Sequence, residues 1–148
     1  MLKSPAIPTA YTEVEMQEHL CLVAFKSGSA GPEHWNSLAE CRNVLMWGAA
    51  HKREEARRDG TDASDYQAIV DLCLRVKTAM LDVAKREQKT GRLGLNAEQL
   101  ELIAACVMTS ADFWPQQPAW LFRECVAAVR RLNSHIITPS KQTRYAAG

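Results

Sequence analysis

The sequence predicts an all-α protein, a single-domain bundle of about five helices. Apolar residues recur at spacings of three and four along most of the chain, whereas the strict alternation typical of half-buried strands is nearly absent. Residues that favour helix N-termini precede these runs, and glycine or proline follows them. The length of 148 residues fits one domain with a core of its own.

The first two predicted helices are separated by a glycine-rich break. Thr12 with Glu15 three residues later has the spacing of a capping box, so the first helix is expected to run from about Thr12 to Phe25. Its inward face is expected to consist of Met16, Leu20, Val23 and Ala24. The second helix begins at Pro32, which suits a first helical position, and ends at Gly60.

The third helix is the most regular in the sequence. Two overlapping caps, Asp62 with Asp65 and Ser64 with Gln67, precede it. Its buried stripe is expected to consist of Ile69, Cys73, Val76, Met80 and Val83.

The glycine-containing stretch "KREQKTGRLGLNAEQLE" follows, and we interpret it as a helix-to-helix corner. Gly91 suits the left-handed residue after a helix, and Asn96 with Gln99 forms the next capping box. A phosphate-binding loop would need a strand before its glycines and Lys-Ser/Thr directly after the last one, and neither is present.

Two further helices and two terminal segments complete the predicted organisation. The fourth helix is expected from Ala97 to about Phe113, where Pro115 prevents its continuation, and the fifth from Pro118 to about Ser134. The sequence thus divides into an N-terminal extension (1–11), the helical domain (12–135) and a flexible tail (136–148).

Composition and motif spacing favour a cytoplasmic protein without cofactors or catalysis. No apolar run approaches the length of a membrane span, and no signal-peptide pattern precedes the first helix. The cysteines lie among apolar neighbours without paired spacing, which is typical of reduced, buried thiols: Cys21, Cys41, Cys73, Cys106 and Cys125. The four histidines stand apart, so the sequence predicts no metal site and no enzyme.

The segment "FWPQQPAWLF" concentrates four of the ten aromatic residues around two prolines. Such residues either close the core at the corner between the last two helices or form an exposed interface for a protein partner or a second copy. The interface candidates are Phe113, Trp114, Trp120 and Phe122.

Basic residues near helix ends provide the alternative, a nucleic-acid-binding surface. They could converge if those ends lie together, although the net charge of +1 is well below that of most nucleic-acid binders. The candidates are Lys52, Arg53, Arg57, Arg58, Lys85, Arg86, Lys89, Arg92, Arg130 and Arg131.

The segments "HWNSLAECRNV" and "TAMLDVAKREQKTGRLGLNAEQLELI" resemble small uncharacterised all-helical accessory proteins of bacterial phages, prophages and plasmids. The matching positions are Trp35, Leu38, Ala39, Asn43, Arg86, Thr90, Gly91, Arg92 and Leu95. This resemblance implies no catalytic residues. It implies a protein that binds and blocks a host or competitor protein, such as a component of defence or of DNA transfer, and the aromatic segment is not part of it.

Overall fold

The computed structural model of the chain describes the backbone of residues 6–136 and the side chains of residues 13–132. Within that range the protein is an all-α bundle of five helices without strands, as predicted. The helices are α1 (Ala6–Ser27), α2 (Pro32–Asp59), α3 (Ser64–Thr90), α4 (Ala97–Phe113) and α5 (Ala119–Ile136). A short 3₁₀ turn, Trp114–Gln116, joins α4 to α5.

The second helix, α2, is the centre of the bundle, since it packs against each of the other four helices. It runs antiparallel to α3, because Arg42 in the first half of α2 donates a 3.0 Å hydrogen bond to the Cys73 carbonyl, while Arg57 near the end of α2 donates to Gln67 near the start of α3. It is also antiparallel to α5, because Glu40 contacts Arg130 near the end of α5 while His51 contacts Trp120 near its start. The core between these helices is built mainly from aliphatic side chains and thiols.

Glycine and asparagine form the helix boundaries that their spacing predicted. Gly60 and Gly91 adopt the left-handed conformation, with φ of 74° and 73°, directly after α2 and α3. Before α4, the Asn96 side chain accepts a 2.8 Å hydrogen bond from the Gln99 backbone, and the Gln99 side chain accepts one of 3.0 Å from the Asn96 backbone. The corner interpretation of residues 85–101 is therefore confirmed.

Two predicted helix starts are wrong. The first helix begins at Ala6, so Thr12 lies inside α1 and residues 6–11 belong to the helix instead of an extension. Ala63 is the N-cap of α3, because Ser64 is already helical and its backbone N–H donates to the Asp62 carboxylate at 2.9 Å. The predicted tail, apart from Ile136, lies outside the described residues.

The inward face of α1 was also predicted wrongly. Met16, Leu20 and Val23 face outward, and of the predicted set Ala24 alone is buried. The buried face carries Cys21, Leu22, Ala24 and Phe25. Since α1 is apolar on both sides, periodicity could not determine which side meets the core.

Candidate functional site

Three of the four aromatic interface candidates are core residues. Phe113, Trp114 and Phe122 are buried, and Trp114 retains only 1% of its accessible surface. Their rings pack edge to face, with centroids 4.7 Å apart for Phe113 and Trp114 and 5.0 Å apart for Trp114 and Phe122. The interpretation of these three residues as an exposed interface is corrected, because their rings pack together in the core where α4, the 3₁₀ turn and α5 meet.

Trp120 is the exception and lies on the surface next to His51. Its side chain is 52% exposed, and its ring meets that of His51 edge to face with a centroid distance of 5.9 Å. Trp47 lies one helical turn before His51 on α2 and is 48% exposed. We refer to Trp47, His51 and Trp120 as the tryptophan face.

Sequence reasoning did not identify Trp47 as a surface residue. A usable signal was its phase, because Leu45 and Ala49, each two residues away, are fully buried. Residues two apart on a helix point in opposite directions, so burying both neighbours turns Trp47 outward. The partner ring, His51, could not be paired with Trp120 from sequence, since the contact depends on how α2 and α5 pack.

Basic residues at the end of α2 are mostly paired with neighbouring carboxylates. Lys52 lies 2.6 Å from Glu55, and Arg53 and Arg57 lie 3.0 Å and 2.9 Å from Glu54. Both arginines also donate to the Gln67 side chain of α3 at 3.2 Å. This segment therefore presents local charge pairs, with Arg58 exposed at its end.

The basic residues of the corner after α3 have different environments. Arg86 donates 2.8 Å hydrogen bonds to the Gly94 carbonyl and to the Gln99 side chain, so it fixes the α3–α4 connection. Lys85, Lys89 and Arg92 are exposed. On α5, Arg130 contacts Glu40 at 2.9 Å, and Arg131 is exposed.

These basic groups do not converge into one patch. The α2 group contacts Gln67 and the corner group surrounds Arg86, and the 19 residues between those positions correspond to roughly 28 Å along α3. The α5 group lies elsewhere again, since Arg130 pairs with Glu40 in the first half of α2. The convergence that a single nucleic-acid surface requires is absent from the described residues.

A cleft of about 420 Å³ bounded mainly by α1, α2 and α5 contains Glu18, the carboxyl group whose pKa is raised most among the described residues. Glu18 is only 4% exposed, and one of its carboxyl oxygens has no hydrogen-bond partner among the described residues. Burial raises the Glu18 pKa from 4.5 to about 7, opposed by a hydrogen bond from Cys41 and reinforced by the charges of Glu15 and Glu40. Glu18 is thus an acid that titrates near neutrality.

The thiols next to this acid are not activated. A hydrogen bond with Cys106 lowers the pKa of Cys41, but burial and the charge of Glu18 raise it, and the pKa lies above its usual value. Hydrogen bonds between thiols and burial also raise the pKa of Cys73 and Cys106. A nucleophilic cysteine needs a lowered pKa, so these groups have the electrostatics of core thiols.

Comparisons with protein-family models, with curated proteins and with solved structures found no match for this chain. Among the described residues, no group of three or more His, Cys, Asp or Glu side chains is arranged to hold a metal ion. No helix in the same range combines the length and the apolar character that crossing a bilayer requires.

Proposed function

We propose that this protein is a non-enzymatic protein-binding factor whose partner docks on the tryptophan face. The observation that carries the proposal is the exposure of Trp47 and Trp120, each about half accessible, and each a neighbour of His51: Trp47 one helical turn away on α2 and Trp120 in ring contact. Tryptophan is the residue most enriched at binding hot spots, because one rigid side chain removes a large apolar area from water at little entropic cost.

The geometry of the face suits a partner that offers an apolar pocket. Trp47 and His51 are one turn apart on a helix held by four neighbours, and the contact of His51 with Trp120 ties α5 to the same surface. Such anchors are positioned before binding, so less conformational entropy is lost when the partner docks. Charged residues at the nearby end of α2 would form the polar rim around this centre.

The biological setting of the proposal comes from the resemblance stated above. Accessory proteins of phages, prophages and plasmids supply the context of a cytoplasmic factor that blocks a host or competitor protein of defence or DNA transfer. The nucleic-acid alternative has less support, because its basic groups lie apart and several are paired with carboxylates.

The test is affinity capture of the tagged protein from nuclease-treated bacterial lysate, followed by mass spectrometry and binding measurements with the purified captured protein. We expect one stoichiometric protein to be retained by the wild type. The Trp47→Ala, Trp120→Ala double variant should bind it at least ~100-fold more weakly, the loss typical of two anchor residues.

The matched control is a Leu74→Ala, Leu81→Ala variant, which removes two half-exposed apolar side chains from α3. This variant should bind the partner like the wild type. Equal binding by the tryptophan variant would refute the proposed surface. Retention of nucleic acid when nuclease is omitted, with affinity that falls steeply as salt increases, would instead support the alternative function.

A further inference from the structure

The outer side of α1 carries an apolar stripe that the rest of the described chain leaves open. Met16, Leu20 and Val23 are 62%, 61% and 57% exposed, and we refer to these three residues as the outer stripe. Their spacings of four and three place them on one helix face, since successive residues are rotated by about 100°. The buried residues Cys21 and Phe25 lie on the other side of the same helix.

A helix that is apolar on both sides is normally covered on both sides. Covering a methionine, leucine or valine side chain contributes roughly 1.5–3 kcal/mol, so leaving all three open forgoes a substantial stabilisation. We propose that the outer stripe is a homodimer interface, in which α1 packs antiparallel against α1 of a second copy around a two-fold axis near Leu20.

The register of this pairing follows from symmetry. With a two-fold axis perpendicular to α1 at Leu20, a residue that precedes Leu20 lies opposite the residue of the second copy that follows Leu20 by the same number of positions. Leu20 then meets its own symmetry mate, and Met16 lies within one residue, about 1.5 Å, of the level of Val23 in the second copy. The three-residue stripe is therefore complementary to itself in the antiparallel orientation.

Charges beside the stripe support the same orientation. Glu15 and Lys26 differ by about 20° around the helix, so both lie on one flank of the stripe. In an antiparallel two-fold pair, the same flank of both α1 helices lies on the same side of the interface. Lys26 of one copy then lies within one residue of the level of Glu15 in the second copy. Symmetry forms this pair twice.

Within the described residues, neither charge is paired with a Lys, Arg, Asp or Glu side chain of its own chain. Lys26 makes no ion pair there, and Glu15 is 3.7 Å from His19, a contact that requires a protonated imidazole. A parallel pair would bring opposite flanks together and would lose both Lys26–Glu15 contacts. The charges therefore select the antiparallel arrangement and the second copy as the occupant.

The proposed interface is separate from the tryptophan face, because the outer stripe lies on α1 and the tryptophan face on α2 and α5. The dimer consequently goes beyond the proposed function and does not depend on it. Each dimer would display two copies of the tryptophan face.

The first test is sedimentation velocity over a range of protein concentrations. The full chain should sediment as a species of twice 16.5 kDa. Leu20→Glu should weaken dimerisation at least ~100-fold, because the two-fold axis would bring two carboxylates together at the apolar centre. The matched control is Leu81→Glu, an exposed leucine on α3, which should leave the dimer unchanged.

Charge reversal tests the orientation. Lys26→Glu alone and Glu15→Lys alone should each weaken the dimer, and the double reversal should restore it, since the pair is then re-formed with exchanged signs. Thermal unfolding of every variant verifies that the fold is retained. A chain that stays monomeric at all concentrations, a dimer insensitive to Leu20→Glu, or a double reversal without restoration would each overturn the proposal.

Discussion

The indole ring of Trp114 packs directly against the backbone of Gly48, in the middle of α2. A methyl group added at Gly48 would lie 2.9 Å from Cζ2 of Trp114, closer still to Cη2, and 3.0 Å from Cε2 of Phe113. Glycine is normally unfavourable inside a helix, but here it provides the space through which the 3₁₀ turn closes onto α2.

We expect Gly48→Ala to lower the free energy of unfolding by roughly 1–2 kcal/mol. Overpacking of a core costs about 1–3 kcal/mol, and the better helix propensity of alanine offsets up to about 1 kcal/mol of it. Chemical denaturation of the single variant measures the net effect.

A double-variant cycle attributes that cost to the ring. Trp114→Phe removes the atoms nearest to the added methyl group, so Gly48→Ala should cost less in the Trp114→Phe background than in the wild type. Equal costs in the two backgrounds would show that the close approach of Trp114 to Gly48 has no energetic role.

Thiol labelling should distinguish the native core from its unfolded form. All five cysteines are buried, and burial is the main cause that raises the pKa of Cys125 to about 11. We expect the native protein at neutral pH to react with an aromatic disulfide reagent many times more slowly than the denatured chain, which should expose all five thiols. A thiol that reacts at the denatured rate in the native protein would contradict the buried assignment.

The sequence was sufficient for the features that depend on local chemistry. Gly60 and Gly91 end their helices because glycine enters the left-handed region without steric cost, and Asn96 begins α4 because its side chain satisfies an open N–H group. Most of the core stripe of α3 was also predictable from its spacing, since Cys73, Val76, Met80 and Val83 are buried as expected, although Val70 is buried at its start where Ile69 was predicted.

Features that depend on tertiary packing could not be predicted from the sequence. The α1 stripe was assigned to the wrong side because both sides are apolar. Trp114 and Trp120 lie in the same short segment, yet one is buried and the other exposed. Their difference is set by the direction of the 3₁₀ turn and by the gap at Gly48, which no local pattern encodes.

Arg86 should matter for stability, in contrast to the exposed basic residues around it. It holds the Gly94 carbonyl and the Gln99 side chain, and Gln99 also caps α4. We expect Arg86→Met to reduce the free energy of unfolding by roughly 2–3 kcal/mol, as for other hydrogen bonds from charged groups. The matched Arg92→Met change should stay within about 0.5 kcal/mol, since Arg92 is exposed. Similar losses in both variants would contradict the specific role of Arg86.

Glu18 should make the stability of the protein depend on pH between about 4.5 and 7. Its folded-state pKa of about 7 lies above the ordinary value of 4.5, so the folded protein binds the proton more tightly than the unfolded chain does. The stabilising contribution of the protonated group is complete below pH 4.5 and is lost as the pH rises through 7. The difference amounts to roughly 3–4 kcal/mol, because the pKa is raised from 4.5 to about 7 and each pKa unit corresponds to about 1.4 kcal/mol.

Denaturation of the wild type and of Glu18→Gln across pH 5 to 8 measures this contribution. The neutral amide cannot ionise, so the variant should gain stability relative to the wild type as the pH rises, and subtracting the two curves removes titrations that they share. Glu15 and Glu40 lie close enough to influence this group, and their repulsion of an ionised Glu18 acts in the same direction as its burial. Glu101 is exposed, so the Glu101→Gln control should show the same dependence of stability on pH as the wild type. A stability difference between wild type and Glu18→Gln that does not change with pH would show that Glu18 has an ordinary pKa in the folded protein.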